Sequence, residues 1–397
     1  MTFLAASRQT DSQELALTQP DFSDSGSREP GLDTLRAAAI VAVMLYHLRP
    51  FLPESVGIVG QFGWMGVDLF FVLSGYLIGF QLFRPYTTGE QPRVLNFYRR
   101  RLFRILPAYL VLVALYAAWP AWREAPGFGP LWKFLTFTEN LTFNPEFRAF
   151  SHVWSLCVEE HFYLVLPLLT VWIAPRATCR RMMIFLSAVL IGGILIRGWA
   201  VTHTDDFMHD IYYPTWMRLD GLLVGVSLAV LRVFRPGWWK LVLQRGHLAL
   251  LVGLAMVCVM IGMLREDGYP GTEGLAAWAT VLGFPILAIG LGLILVSSVS
   301  RNGLLRRFRI PGARAVASLA FTLYLTHKAV CHLARTYLPG LTAGRDIRAA
   351  LVYAAICLIV AAILHFCVER PFLRLRDFFD KRPADSVEER LLIEPAL

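Results

Sequence analysis

An arginine and a histidine stand at opposite ends of the apolar stretch RAAAIVAVMLYH, residues 36 to 47. A guanidinium can bind an anion, and an imidazole can take up a proton near neutral pH. Arg36 and His47 are eleven positions apart, so on a helix they share one face, about 16 Å apart along the axis. A different interpretation stays open, in which Arg36 reaches the lipid headgroups and His47 hydrogen-bonds a neighbouring helix.

An aspartate lies inside the second apolar stretch, GWMGVDLFFVLSGYLIG, residues 63 to 79. Because a charge within a membrane span costs a few kcal/mol, Asp68 needs an arginine or histidine partner on a neighbouring helix. We expect Asp68 to orient that partner, although a chemical role is also open. Gly66, Ser74 and Gly75 predict close packing of this helix against others.

Two arginines, Arg101 and Arg104, are spaced i, i+3 in NFYRRRLFRILPAYL, so both guanidinium groups lie on one face of the entering helix. They can anchor the helix at the cytoplasmic surface, where membrane proteins concentrate positive charge. They can equally bind a phosphate, because planar guanidinium groups make paired hydrogen bonds to phosphate oxygens. The spacing alone does not separate these two roles.

Polar residues also follow one stripe of the segment SHVWSLCVEEHFYLVLPLL, residues 151 to 169. Ser155, Glu159 and Tyr163 recur every four positions, while Glu160 is turned away by about 100°. One glutamate is expected to neutralise an arginine on a neighbouring span. The other is expected to lie in water at the outer boundary.

Two further segments carry ionisable groups. Arg218 and Asp220 in RLDGLLVG are two positions apart and cannot pair on one helix face, so each needs a partner on another helix. Tyr324, His327 and Lys328 in FTLYLTHKAV lie within one helical turn and form a second polar patch at a depth comparable with His47.

The elements that must position these residues are membrane helices. Of the 397 residues, 56% are hydrophobic and only 17% are charged, which is typical of a membrane protein. The fold class is therefore all-α, with about ten transmembrane helices of about 20 residues each. The apolar runs lie near residues 35–51, 59–82, 102–120, 153–174, 183–201, 214–233, 246–264, 275–298, 316–336 and 348–367.

Charge and polar segments complete the organisation. Most of the 38 Lys and Arg residues fall in alternate connections, which predicts cytoplasmic termini and explains the net charge of +9 without a nucleic-acid partner. Residues 1–30 are predicted to be a disordered cytoplasmic segment, 31–376 the transmembrane domain and 377–397 a short cytoplasmic tail.

The six cysteines show no disulfide or metal-binding spacing, so no metal site is expected. Pro371 predicts that the last long helix stops there.

Seven stretches together resemble the acyltransferase 3 family, bacterial membrane enzymes that transfer acyl groups, usually acetyl, to carbohydrates. The likeness covers residues 31 to 376. Its elements, in chain order, are GLDTLRAAAIVAVMLYH, GVDLFFVLSGYLIG, FYRRRLFRILPAY, HVWSLCVEEHFYLVLP, RLDGLLVG, FTLYLTH and VERPF.

The resemblance implies an enzyme of the bacterial inner membrane that uses cytoplasmic acyl-CoA, with acetyl-CoA as a donor substrate and no tightly bound cofactor. Its acceptor would be a hydroxyl of a carbohydrate or glycolipid, such as O-antigen, exopolysaccharide or glucan, presented from the outer side. Arg36, Arg101 and Arg104 would hold the phosphates of coenzyme A, and His47 would act as general base. The matched positions Glu159, Tyr324 and His327 would orient His47, shape the acceptor site or stabilise the oxyanion, and Asp68, Ser155, Arg218 and Asp220 would support them.

This sequence departs from the family pattern before His327, where a tryptophan is replaced by Thr326, and after it, where Lys328 follows; a different acceptor would explain both. Some relatives carry an extracytoplasmic hydrolase-like domain, which we do not expect in this sequence; if the reaction requires such help, a separate periplasmic protein would provide it. Two other functions remain open. They are a transporter whose buried ions line a substrate pathway, and an acyltransferase of the same family with a small-molecule acceptor.

Overall fold

The computed structural model describes residues 29–142, 146–173, 178–267, 277–307 and 310–380. Within these ranges the chain folds into helices and turns without a β-strand, which confirms the all-α class. The predictions for the N-terminal segment up to residue 28 and for residues 381–397 of the tail lie outside the described residues.

Eleven longer helices, labelled here α1 to α11, carry the architecture, and shorter helical turns connect them. All but α11 coincide with the ten apolar runs of the sequence. The helices are α1 Pro30–Leu48, α2 Met65–Phe83, α3 Val94–Ala118, α4 Trp154–Ile173, α5 Cys179–Val201, α6 Asp220–Phe234, α7 Gly246–Asp267, α8 Ala277–Val299, α9 Ala313–Tyr337, α10 Ile347–Leu364 and α11 Arg370–Asp380.

Six of these helices are long and apolar enough to cross a membrane: α1, α2, α3, α5, α8 and α10 with its continuation. A seventh span results if α6 is joined to the helix Pro236–Gln244, although the two meet at a bend of 115°. Ten spans are therefore not confirmed within the described residues. The polar side chains of α4 and α9 lower their mean hydropathy, and the apolar part of α7 is short, Gly246–Gly262.

Small residues set the closest helix contacts at the centre of the bundle. A Cβ atom on Gly75 of α2 would lie 2.1 Å from the carbonyl oxygen of Leu222 on α6, and a Cβ on Gly66 would lie 2.5 Å from that of Ala39 on α1. Only glycine permits backbones to approach this closely. The predicted packing role of Gly66 and Gly75 is confirmed, and it fixes α1 against α2.

Helices α3, α4, α9 and α11 enclose the space beside α1 and α2. Helix α9 packs against both α1 and α10, and α3 contacts α4, α9 and α11. The predicted stop at Pro371 is wrong, because the chain continues from α10 through a π-helical turn, His365–Glu369, into α11. The wider turn precedes Pro371, which then falls in the first turn of α11, where proline is tolerated.

Candidate active site

The imidazoles of α1 and α9 are in direct contact. The Nδ1 atom of His47 lies 3.0 Å from Nε2 of His327, and the two ring centroids are 4.9 Å apart. His327 is fully buried, whereas His47 remains partly exposed. The structure thus joins two residues 280 positions apart in the sequence, and His47 faces a neighbouring helix rather than lipid.

Hydrogen bonds to main-chain carbonyls fix the tautomers of this pair. Nδ1 of His327 lies 3.0 Å from the oxygen of Leu323 and 2.9 Å from that of Tyr324. Carbonyl oxygens only accept, so in the neutral ring Nδ1 of His327 carries the proton and Nε2 accepts. His47 must then donate through its own Nδ1, which also lies 3.1 Å from the oxygen of Val43. The Nε2 atom of His47 is left with an unprotonated lone pair, as a general base requires.

A cavity of about 780 Å³ opens beside this pair, between α1, α2, α3, α4, α9 and α11. Its volume lies within the range of small-molecule sites, about 300–1,000 Å³. The predicted arginines all line it, together with two that sequence reasoning missed. The five are Arg36, Arg100, Arg101, Arg104 and Arg376.

The arginines are held in different ways. Arg36 contacts Asp33 at 3.1 Å, one helical turn earlier on α1. The guanidinium of Arg101 lies over the ring of Tyr163, 4.0 Å from its centroid, and Arg104 is exposed to the cavity. Arg100 forms an ion pair with Asp380 of α11 at 2.8 Å. This end of the cavity therefore concentrates positive charge, and we call these five residues the arginine mouth.

Hydroxyl groups and a carboxylate line the deeper part of the cavity. Glu159 accepts a hydrogen bond of 2.7 Å from the Ser74 hydroxyl, and the Ser155 and Tyr324 hydroxyl oxygens are 2.6 Å apart. Neither Glu159 nor Glu160 forms an ion pair within 4.0 Å among the described residues, but Arg101 interacts electrostatically with both, in line with the predicted neutralisation at longer range. Glu160 is half-buried, and its Oε1 atom is buried without a hydrogen-bond partner in the part of the chain that the structure describes.

The cavity ends at Tyr324 and Ser155, and His47 is not part of its lining. Tyr324 lies between the cavity and His47. Its ring centroid lies 6.1 Å from that of His327, which in turn contacts His47. Arg36 and His47 therefore occupy the same side of α1, as their spacing predicts, but the residues between cavity and histidine are Tyr324 and His327.

Two buried ion pairs lie apart from this cavity. Arg218 donates to Asp68 at 2.8 Å, and Arg197 donates to both carboxylate oxygens of Asp220 at 2.6 and 2.7 Å. Each pair links different helices or their ends, as the spacing of Arg218 and Asp220 requires. Phe284 lies 4.1 Å from the Arg218 guanidinium, as ring centroid to Cζ. Asp68 thus orients Arg218 and does not reach the histidines or the cavity lining.

Sequence reasoning missed Glu124, which lies in the connection between α3 and α4. Its Oε1 atom is 3.0 Å from the ammonium group of Lys328 and accepts from the Phe150 amide at 3.2 Å. Its Oε2 atom accepts from the Tyr116 hydroxyl at 2.8 Å. Lys328 is therefore neutralised by a partner about 200 positions away. A single glutamate in a loop gives no sequence signal for such a pairing.

His152 was also missed, although it opens the motif HVWSLCVEEHFYLVLP. It precedes α4, and only 4% of its surface is exposed. Its ring centroid lies 5.2 Å from that of His327 and 6.3 Å from that of His47. Burial, and then the charge of Lys328, lowers the pKa of His152 well below its usual range. His152 is thus a neutral imidazole at physiological pH.

The three histidines do not make a metal centre. Among the residues that the structure describes, no group of three or more His, Cys, Asp or Glu side chains is arranged to hold a metal ion. The six cysteines are free thiols, and Cys331 and Cys357 approach each other with a sulfur–sulfur distance of 3.5 Å.

Comparisons with known proteins match most of the chain. A family model described as an acyltransferase domain matches residues 29–366. O-acetyltransferase OatA of Staphylococcus aureus strain NCTC 8325 is 26% identical over 328 residues, which cover 78% of this chain and 51% of that protein. The putative O-acetyltransferase SACOL0978 of strain COL is 26% identical over 333 residues, with the same coverage. The chain spans about half the length of these relatives, and no solved structure matches it significantly.

Proposed function

Because the chain belongs to the acyltransferase 3 family, we propose that it is a membrane O-acetyltransferase that moves acetyl from cytoplasmic acetyl-CoA to a carbohydrate hydroxyl. One observation carries the proposal. The arginine mouth leads into a cavity that ends at Tyr324, one helical turn from His327, which holds His47 by a hydrogen bond. The O-acetyltransferase relatives support acetyl as the transferred group.

The arginine mouth binds the phosphates of coenzyme A. Arg101 and Arg104 project from one face of α3, and Arg36 approaches from α1, so three guanidinium groups converge from two helices. Guanidinium groups make strong charge-assisted hydrogen bonds to phosphate oxygens. With the termini in the cytoplasm, this end of the cavity opens to the cytoplasmic pool of acetyl-CoA. The pantetheine arm lies along the cavity and carries the thioester toward Ser155 and Tyr324.

His47 is the general base. Its Nε2 atom takes the proton of the acceptor hydroxyl while the hydroxyl oxygen forms a bond to the thioester carbonyl carbon. The carbon–sulfur bond then breaks, and the proton passes from His47 to the departing thiolate of coenzyme A. His327 acts by position, since its Nε2 accepts from His47 Nδ1–H and stabilises the imidazolium that forms, which is the role of an orienting residue in a catalytic triad.

Tyr324 closes the inner end of the cavity and must admit the acetyl group. Its hydroxyl donates to the carbonyl oxygen of His152 and also contacts Ser155. When the thioester arrives, the thioester oxygen replaces that carbonyl as the acceptor of the Tyr324 hydrogen bond. A hydroxyl aimed at the carbonyl oxygen then stabilises the negative charge that develops there. Glu159 supports the same wall through Ser74.

The test is acetyl transfer by the protein in lipid nanodiscs and in its own host. Purified wild-type protein should consume acetyl-CoA, and host cells that lose the gene should lose acetyl esters from a surface carbohydrate. His47→Ala should lower both activities roughly 100- to 10,000-fold, the range that general acid–base catalysis contributes.

The matched control is His203→Ala, which removes an exposed histidine far from the cavity lining. This variant should keep wild-type activity. A His47→Ala protein that folds and turns over acetyl-CoA at the wild-type rate would exclude His47 as the base. A wild-type protein that neither binds nor consumes acetyl-CoA would overturn the proposed function.

A further inference from the structure

His152 is a buried imidazole without a hydrogen bond. Both ring nitrogens are inaccessible to solvent, and neither forms a hydrogen bond of 3.5 Å or shorter with a described residue, although the main chain of Leu325 lies near the ring. A buried polar group left unpaired destabilises the folded state, and native proteins leave few of them. A neutral imidazole has one N–H donor and one acceptor nitrogen, so His152 leaves two groups unused beside the His47–His327 pair.

We propose that His152 is a catalytic residue that binds the acceptor alcohol, and that its N–H donates to the oxygen that attacks the thioester. This inference rests on the proposed function. The acceptor is then held by two imidazoles, since its hydroxyl donates to Nε2 of His47 and its oxygen accepts from His152. The proton leaves with His47, and His152 remains neutral throughout, so the balance of the transfer step is unchanged.

The spacing of the rings fits a shared oxygen atom. The centroids of His47 and His152 are 6.3 Å apart, and their planes are inclined by 61°. At this separation of the rings, one oxygen that enters between them can lie about 2.9 Å from a nitrogen of each, the usual length of such hydrogen bonds. His47 is partly exposed and His152 is buried, so an alcohol can approach along the exposed side of His47 and end against His152.

The position of His152 separates it from the donor site. Ser155 and Tyr324 line the cavity that leads from the arginine mouth, but His152 does not. The hydroxyl of Tyr324 points at the main-chain oxygen of His152, so the main chain at His152 forms the partition and the imidazole lies beyond it. An acceptor at His152 and a donor in the cavity therefore meet at Tyr324 from opposite sides.

Hydrogen bonds hold the segment from Phe150 to His152 in place on two sides. Tyr324 donates to the His152 carbonyl, and Glu124 accepts from the Phe150 amide at 3.2 Å. Phe150 adopts a left-handed conformation, φ 64°, which is unfavourable for a residue other than glycine. Glu124 Oε1 also lies 3.9 Å from Nδ1 of His152, too far for a hydrogen bond but close enough to influence the ring. Glu124 is thus a positioning residue for His152.

The experiment compares His152→Ala with the conservative His152→Asn, which keeps an N–H donor. Two quantities are measured: the dissociation constant of acetyl-CoA in nanodiscs, and the acetyl-ester content of envelope carbohydrate from host cells with equal amounts of protein. His152→Ala should lower the ester content at least 10-fold and change the acetyl-CoA dissociation constant less than 2-fold. His152→Asn should recover part of the esters.

Thermal unfolding and ester content together distinguish a catalytic histidine from a structural one. Because His152→Ala leaves a cavity where a buried ring packed, its Tm is expected to fall, and the ester content is therefore compared per folded protein. His161→Ala is the matched control, since His161 lies on α4 and has a 2.7 Å contact with the Thr215 hydroxyl. It should lower Tm and keep the ester content per folded protein.

Three results would overturn the inference while the proposed function stands. They are full esterification by His152→Ala, a weakened acetyl-CoA affinity that accounts for the whole loss, and a loss of esters that parallels a loss of folded protein. Failure of the wild type to bind acetyl-CoA or to form esters would instead count against the proposed function itself.

Discussion

Arginines lie within the helix bundle in two regions of this molecule, and their surroundings differ. Arg197 and Arg218 are each only 1% exposed and are matched by an aspartate within 2.8 Å. In the arginine mouth, Arg101 and Arg104 face a cavity and have no carboxylate within 4.0 Å among the described residues. A matched arginine ties helices together, whereas an arginine aimed into a cavity is available to an anion that enters it. The same residue type therefore serves structure in one region and binding in the other.

The largest expected effect is on the matched pairs. Asp220→Asn leaves the Arg197 guanidinium buried without its counter-ion, and removal of one partner of a buried pair destabilises a protein by about 3–5 kcal/mol. Thermal unfolding in detergent should show a large drop in Tm. Replacing both residues, Arg197→Met with Asp220→Leu, should restore most of it, because the buried charge is then gone. Equal Tm values for wild type and the single variant would remove the structural role of this pair.

The next effect is on the arginine mouth and should leave stability intact. Arg104→Gln removes a cation that faces the cavity, so acetyl-CoA affinity should fall roughly 10- to 100-fold, from the loss of a charged hydrogen bond of about 1.5–3 kcal/mol. Binding by the wild type should also weaken as salt is added. Arg314→Gln is the control, since Arg314 is exposed and outside the cavity lining. A Tm loss for Arg104→Gln as large as that for Asp220→Asn would erase the distinction between the two regions.

The smallest effect concerns Arg100, which both faces the cavity and pairs with a carboxylate. It lines the cavity and also pairs with Asp380, and both side chains are partly exposed. Asp380→Asn should cost less than about 1 kcal/mol of stability, as is typical of exposed ion pairs. Because Arg100 is then released toward the cavity, acetyl-CoA should bind up to about 2-fold more tightly, which titration calorimetry can measure. Weaker binding would show that Asp380 holds Arg100 in its binding position.

Local patterns predicted a large part of this arrangement. The ten apolar runs coincide with helices, and the spacing of Arg36 and His47 placed both on the inner side of α1. The i, i+3 spacing of Arg101 and Arg104 placed both in one cavity. These predictions succeed because helical periodicity depends only on residues a few positions apart. The number of spans predicted from the apolar runs was not confirmed, since only six of the described helices are long and apolar enough to cross a membrane, or seven if the bent pair after α6 is one span.

Partnerships between distant residues could not be predicted. Ser74 with Glu159, Glu124 with Lys328 and Tyr324 with the carbonyl of His152 join positions 85 to 204 apart, and no spacing rule connects them. His152 was overlooked for the same reason. Its sequence neighbours are ordinary helix-start residues, and only the packing of α9 beside it shows that both ring nitrogens are buried and unused.

The sequence by itself determined the helices, the face that each polar residue occupies and the charge carried by each helix, because these follow from side-chain chemistry and a fixed rotation per residue. Tertiary structure alone decided which charges neutralise one another and which face a cavity. The physical reason is that pairing energy depends on distances between helices, which close glycine contacts such as that of Gly75 with Leu222 set. Tertiary structure also decided that Tyr324 lies between the arginine-lined cavity and the histidines.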